Sequence, residues 1–201
     1  DKKYIKTISG KGHKHTLKSI VEAEAYGEPN LVVWYENPYL KSLRQLIAGQ
    51  PKPFKRNNIK RYLRNVNINC KWTYVGHHES HAAAFYKSGF EDATIVVLDS
   101  IGEFDCTSIW HAQGRKLKKK SSVKYPHSIG LFYSAMTDRV GLKAQQDESK
   151  FEEMSQTFLP FSSLRSRMET DLIKTWTPLP KFKVNFHRGI RNAWPSNSDK
   201  E

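Results

Sequence analysis

The sequence is poor in cysteine, in acidic residues and in long apolar segments. The first and the last of these shortages each exclude a class of protein. Its 201 residues include only two cysteines, too few for a disulfide framework. Cys70 and Cys106 form no Cys-x-x-Cys ligand pair, and we predict two ordinary buried thiols. No apolar run approaches the roughly 20 residues that span a bilayer, and no apolar segment resembles a secretory leader. We therefore predict a cytoplasmic protein without a membrane contact.

Basic residues outnumber acidic residues by 33 to 20, which gives the chain a net charge of +13. The basic residues are spread along the chain, and their densest run, Lys-Leu-Lys-Lys-Lys at 116–120, lies in a predicted strand without an aromatic ladder for stacking bases. We therefore predict a solvated basic face and no nucleic-acid partner. A face that attracts phosphorylated small molecules would have the same composition.

The apolar residues alternate between helical and strand periods. Helical spacing predicts helices over 16–25, 38–48, 59–66, 77–88, 128–142 and 163–175, with Phe132, Ala135, Met136 and Val140 facing inward. Strand patterns cover 31–35, 72–75, 93–98, 107–112 and 116–125; we expect the first to be buried and the last three to be antiparallel neighbours. The predicted class is α/β, with a mixed sheet and flanking helices.

The most informative segment is the run His77-His78-Glu79-Ser80-His81 at the start of a predicted helix. His77 and His81 are four residues apart, so both rings lie on one face and can reach a single divalent ion, whereas His78 points elsewhere. A metalloprotease HExxH motif needs Glu directly after its first His, and His78 occupies that place, which excludes a protease. Histidines that only satisfy backbone groups or solvent near a helix start would have the same spacing, and the spacing leaves both interpretations open.

A second candidate site follows the strongest predicted strand, where the chain reads Asp99-Ser100-Ile101-Gly102-Glu103. An acid at the end of a buried strand, with a glycine that lets backbone amides approach a ligand, is typical of phosphate-binding and metal-binding hairpins. An ordinary tight turn with a capping Asp explains the pattern equally well.

In this order and spacing the motifs resemble a known family. They read HHESHAAAFYKSGFEDATIVVLDSIGE, TSIWH, YPHSIGLFYSAMTDRVGLK, QDES and NFHRGIRNAWP. The chain resembles the N-terminal domain of the carbamoyltransferases that include nodulation-factor and antibiotic O-carbamoyltransferases. The resemblance implies the duplicated α/β fold of actin and hexokinase (ASKHA, ribonuclease H-like), here as a partial domain over residues 1–195, with 196–201 as a frayed tail or the start of a linker.

The resemblance also implies an enzyme and a site. A carbamoyl group would pass from carbamoyl-adenylate, made from carbamoyl phosphate and ATP by a C-terminal synthase-like domain, to a hydroxyl of a small-molecule or sugar acceptor. His77 and His81 match the two histidines of a divalent metal site, with Fe²⁺ as the expected ion. Asp99, Gly102 and Glu103 match the loop beside the nucleotide phosphates.

Two further motifs match the family. Ser128, Gly130 and Tyr133 match a helix whose N-terminus would suit a phosphate, although a plain packing helix explains these residues equally well. A second group matches a polar, substrate-contacting motif: Asp147, Glu148 and Lys150. In relatives this motif continues into a Met-Gly-Met-Ala-like run, which here reads Glu152-Glu153-Met154-Ser155.

The resemblance places several parts of the enzyme outside residues 1–201: the opening strand with its acceptor loop, an Asp that completes the metal site, and the synthase-like domain. We therefore expect a fragment that is inactive alone. Two alternatives stay open, a non-catalytic basic binding module on the same fold and a related kinase or ATPase that hydrolyses ATP without carbamoyl phosphate.

Overall fold

The structure is a computed structural model that describes residues 27–157, 162–177 and 179–190. The helix predicted to begin at Thr16 and the predicted tail at 196–201 lie outside these residues. These described residues divide into two compact units, one within 27–34 and 58–73 and the other within 35–57 and 74–190.

The described elements follow one another in a mixed α/β order. They are β1 (Leu31–Trp34), α1 (Pro38–Ile47), α2 (Pro53–Arg56), α3 (Ile59–Asn65), β2 (Lys71–Tyr74), α4 (His77–Ala82), a 3-10 helix (Ala83–Lys87), β3 (Asp92–Leu98), β4 (Asp105–Gln113), β5 (Lys116–Lys124), α5 (Ile129–Arg139), α6 (Glu148–Ser155), α7 (Ser162–Leu172), β6 (Ile173–Thr175), β7 (Lys181–Phe182) and a 3-10 helix (Phe186–Arg188). None of the described helices has the length and apolarity needed to cross a membrane.

The first unit contains β1, most of β2 and α3. β1 and β2 pair as a two-stranded sheet, and Ile59 and Leu63 of α3 are buried. The prediction that β1 is buried is wrong, because Leu31 and Val33 are 53% and 54% exposed. Successive side chains of a strand face opposite sides, and one side of β1 is left open.

The second unit is built on the antiparallel sheet β3-β4-β5, as predicted. β4 is the central strand and is buried along most of its length. The helix α4 packs on this sheet through Ala82, which is fully buried against Val97 and Trp110. The sheet therefore supports the helix that carries the histidine motif.

A second core lies around α5. Leu131 and Ala135 pack in a cluster of buried residues whose other members are Leu172, Phe182, Phe186 and Ile190. Phe132 and Met136 pack against this cluster as predicted. The prediction for Val140 is wrong: this residue is 45% exposed because α5 ends at Arg139 and Val140 is its C-cap.

Three further predictions differ from the structure. The helix predicted over 163–175 ends at Leu172, and the segment with β-branched Ile173 and Thr175 pairs with β7 instead. The end of the predicted helix over 77–88 is a 3-10 helix. Cys106 is fully buried as predicted, whereas Cys70 is partly exposed.

The helix α1 begins at Pro38, as predicted, and is capped by the side chain of Asn37, which accepts hydrogen bonds from the first turn. Its apolar side faces outward, since Leu43 and Ile47 are 44% and 68% exposed. The buried residues are Pro38 at its start and the polar Ser42 and Arg44. The helical period is therefore correct, while the face that it buries is not the apolar one.

Candidate metal centre

The site begins with a carboxylate under the N-terminus of α4. Glu103 accepts hydrogen bonds from the backbone N–H of His77, at 3.0 and 3.2 Å, and from the backbone N–H of Asn37. Helix N-termini leave such N–H groups without intrahelical partners, so this buried acid fixes where α4 starts. The family motifs predict Glu103 beside nucleotide phosphates. In the structure its carboxylate faces the first turn of α4.

Three side chains that can bind a metal ion meet at the exposed side of α4. The Nε2 atoms of His77 and His81 are 3.1 Å apart, and Asp99 Oδ2 lies 2.8 Å from His77 Nε2. One donor atom from each residue falls within 4.8 Å of the other two. Two imidazoles and a carboxylate are a donor set that suits first-row divalent ions, so the residues present fit such an ion.

The acids around His77 set its charge. Asp99, and then Glu36, raise the pKa of His77 to about 9 against the opposing effect of burial. Conversely, the hydrogen bond with His77 lowers the pKa of Asp99. In the ion-free chain His77 is therefore an imidazolium between two acids, and an ion at its Nε2 atom would take the place of a proton.

Glu36 is a residue of this cluster that the sequence analysis missed. It is 6% exposed, its Oε2 lies 3.7 Å from His77 Nδ1, and its Oε1 accepts a hydrogen bond from Lys41 at 2.6 Å. The missed signal is the one that marks Asp99, namely an acid close behind an apolar strand, here β1.

His78 faces the opposite side of α4, as predicted from the helical period. Its ring is 2% exposed, and its Nδ1 lies 2.7 Å from Ser108 Oγ, which also accepts a hydrogen bond from Trp110 Nε1 at 2.7 Å. The Ser108 hydroxyl therefore accepts from the Trp110 N–H and shares a second hydrogen bond with His78. Burial lowers the pKa of His78, which makes it a neutral ring inside the protein.

The backbone amides of the Asp99 loop are already engaged. The Ser100 N–H donates to Asp99 Oδ1 at 2.7 Å, and the Gly102 N–H donates to the Asp105 carbonyl at 2.8 Å. A ligand at this loop would therefore meet Oδ2 of Asp99, because these two amides already donate within the protein.

Ser128 and Gly130, the other predicted nucleotide-binding residues, contact this same loop. The Ser128 hydroxyl caps α5 by accepting from Leu131 N–H at 3.0 Å and donates to the Ser100 carbonyl at 2.6 Å. Gly130 lies so close to Asp99 and Ser100 that a Cβ atom would meet their backbone within 3 Å. The structure thus brings the start of α5 next to Asp99.

The predicted substrate-contacting residues lie at the start of α6. Asp147 and Lys150 form an ion pair at 2.8 Å. Glu148 accepts a hydrogen bond from the Ser134 hydroxyl at 2.9 Å, and its backbone carbonyl accepts one from Tyr133 at 2.6 Å. Their hydrogen bonds tie α6 to α5, and within the described ranges none reaches the histidine pair.

Comparison with known proteins identifies the family. The carbamoyltransferase N-terminus family matches residues 14–190. The chain therefore belongs to the carbamoyltransferase N-terminus family, as its motifs predict.

Two similar proteins carry names that state no activity. The uncharacterized protein sll1178 of Synechocystis sp. is 34% identical over 149 residues, which cover 61% of this chain and 24% of that protein. The uncharacterized protein MJ1051 of Methanocaldococcus jannaschii is 31% identical over 88 residues, covering 44% of this chain and 17% of that protein. The chain thus spans a quarter or less of the curated relatives it matches.

Proposed function

We propose that this chain is the metal- and adenylate-binding part of an O-carbamoyltransferase. In the proposed reaction the bond between the carbamoyl carbon and a phosphate oxygen of carbamoyl-adenylate breaks. A bond from the same carbon to the acceptor hydroxyl forms, and AMP and a proton are released. Carbamoyl-adenylate would come from carbamoyl phosphate and ATP in the synthase-like domain that the motifs imply.

The observation that carries the proposal is the convergence of His77, His81 and Asp99. These side chains would hold the divalent ion, for which Fe²⁺ is our expectation. When bound, such an ion supplies positive charge that stabilises a phosphate leaving group and orients the mixed anhydride. Glu103 keeps the start of α4 in place, so both histidines present their rings to one point.

The fold supports the same assignment. An antiparallel meander, β3-β4-β5, followed by the helix α5 is compatible with one ribonuclease H-like half of the ASKHA fold. We therefore extend the proposal to that fold, with the domain reaching residue 195 as the motifs predict. A cytoplasmic location stays a prediction.

The direct test is metal binding by the full chain, measured by calorimetry with Mn²⁺, Zn²⁺ and, without oxygen, Fe²⁺. We expect the double substitution His77→Ala, His81→Ala to weaken binding at least tenfold. His111→Ala is the matched control because His111 also pairs with an acid, Asp92, at 3.0 Å, but has no second histidine beside it among the residues that the structure describes. Equal losses in the control and in the double variant would contradict the proposed site.

A second assay separates the proposal from its alternatives. We expect the chain with ATP, carbamoyl phosphate and a polyol to release no more AMP than its His77→Ala variant. The reason is that we assign the formation of carbamoyl-adenylate to the synthase-like domain. ATP hydrolysis without carbamoyl phosphate would instead indicate a kinase or ATPase. Salt-sensitive binding to nonspecific DNA without metal uptake would indicate a basic binding module.

A further inference from the structure

The loop that carries Asp99 is enclosed on two sides by positions without side chains. Gly102 lies in the loop and faces α4, whereas Gly130 lies in the first turn of α5 and faces the loop. We infer that Gly102 and Gly130 are positioning residues, which hold the Asp99 carboxylate against His77. The functional consequence, but not the geometry, rests on the metal site proposed above.

Gly130 makes the closer contact with Asp99 itself. A Cβ atom at this position would lie 2.8 Å from Ser100 N and 2.9 Å from both the carbonyl carbon and the carbonyl oxygen of Asp99. These are backbone atoms, which cannot rotate away as a side chain can. The hydrogen bond from Ser128 to the Ser100 carbonyl holds the same two segments together. A methyl group at Gly130 would therefore push the backbone of Asp99 away from α5.

Gly102 fixes the other side of the loop against the buried histidine. A Cβ atom here would lie 2.6 Å from His78 Cδ2 and 3.2 Å from His77 Cβ. His78 cannot easily yield, because its ring is 2% exposed and bonded to Ser108. The loop therefore reaches its observed position relative to α4 only with glycine at residue 102.

Space, and not backbone conformation, makes glycine necessary at both positions. Neither Gly102 nor Gly130 has a φ in the left-handed region, so another residue could adopt the backbone. Restoring ordinary contact at Gly130 requires a shift of about half an ångström, comparable with the tolerance of a ligand constellation. A displacement of that size acts on Asp99, whose Oδ2 is 2.8 Å from His77 Nε2.

The test is a double-mutant cycle on the full chain with Co²⁺ as the probe, followed by its absorption spectrum. Gly130→Ala should weaken Co²⁺ binding about tenfold in the wild-type background and have no further effect in an Asp99→Ala background. Its Co²⁺ spectrum should match that of Asp99→Ala. The control is Gly76→Ala, beside His77, where a Cβ would meet only ordinary contacts at 3.6 Å and binding should not change.

An equal loss in both backgrounds would show that Gly130 serves only the fold and would overturn the inference. If Gly130→Ala does not fold, Ser128→Ala, which removes the bond to the Ser100 carbonyl, replaces it in the cycle with a smaller effect in the same direction. Co²⁺ binding that Asp99→Ala does not affect would contradict the proposed site instead. The ion-free crystal structure of Gly130→Ala then decides the inference: separation of Asp99 from His77 supports it, and an intact hydrogen bond overturns it.

Discussion

Two faces of the helix α4 carry histidines in opposite environments. On the outer face His77 lies among acids, which raise its pKa to about 9, and His81 is next to it on the same face. On the inner face His78 is hydrogen-bonded to Ser108 of β4, and burial lowers its pKa although the nearby Asp105 acts in the opposite direction. At neutral pH His77 is therefore positively charged, whereas the adjacent His78 is neutral.

The difference shows what a helix contributes to a site of this kind. One residue along α4 rotates the side-chain direction by about 100°, which is enough to place His77 in a cluster of acids and His78 in the interior. The inner histidine makes the outer pair possible, because it fixes α4 to the sheet that supplies Asp99. The outer face is available for a ligand, whereas the inner face serves stability.

The largest expected effect concerns the inner face. His78→Ala removes a buried ring, leaves a cavity beside Gly102 and takes away one of the two hydrogen-bond partners of the Ser108 hydroxyl. We expect the free energy of unfolding to fall by about 3 kcal/mol. Urea denaturation of the wild type, this variant and the half-exposed control His111→Ala measures it. A loss no larger than that of the control would show that the two faces do not differ as described.

The sequence predicts the outer histidine pair better than its surroundings. The spacing of His77 and His81 indicates their shared face, and the position of Asp99 after an apolar strand indicates a ligand. The contacts of Glu36 and Glu103 with His77 could not be predicted, because the three come from separate segments that only tertiary folding brings together.

The same holds for the fold: the hydrophobic period of the sequence predicts where helices lie, but it does not predict which face of a helix is buried. The period of α1 predicts a start at Pro38 and an end just before Gly49, close to the observed Ile47, but it does not reveal that Leu43 lies outside and Arg44 inside. Such a reversal depends on what the rest of the protein offers to each face. The helix α6 was missed because it buries none of its residues and so has no apolar stripe to detect.

A smaller effect on the free energy of unfolding is expected at the N-terminus of α4, where Glu103 binds the first turn. Glu103→Gln keeps one oxygen that can accept from both His77 and Asn37, but it removes the negative charge and replaces the second accepting oxygen with an NH2 group that can only donate. We expect a loss of about 1.5 kcal/mol in the free energy of unfolding. Thermal denaturation beside the exposed control Glu91→Gln checks this, and equal midpoints for the two variants would contradict the capping role.

The smallest expected effect is a pH dependence near the inner face. Burial opposes ionisation of Asp105, but hydrogen bonds from Lys119 and Lys124, each at 2.8 Å, prevail and lower the pKa of Asp105. Its contribution to stability is therefore complete above the unfolded pKa of about 3.9 and is lost as the pH falls through the lower folded value.

Comparison of the wild type with Asp105→Asn measures this contribution. We expect the wild type to be more stable by about 1 kcal/mol at neutral pH, because both lysines are partly exposed and solvent weakens the pairs. The difference should shrink only on acidification below about pH 4. A difference that stays constant through that range would show that the carboxylate charge is not responsible.

The central claim, that the outer face of α4 and the end of β3 form one metal site, is tested most directly by anomalous X-ray diffraction. Crystals of the full chain grown with Fe²⁺ without oxygen would be measured on both sides of the iron absorption edge. We predict a single anomalous peak within bonding distance of His77 Nε2, His81 Nε2 and an oxygen of Asp99. A peak bound by other residues, or iron-loaded crystals without a peak at these three, would contradict the claim.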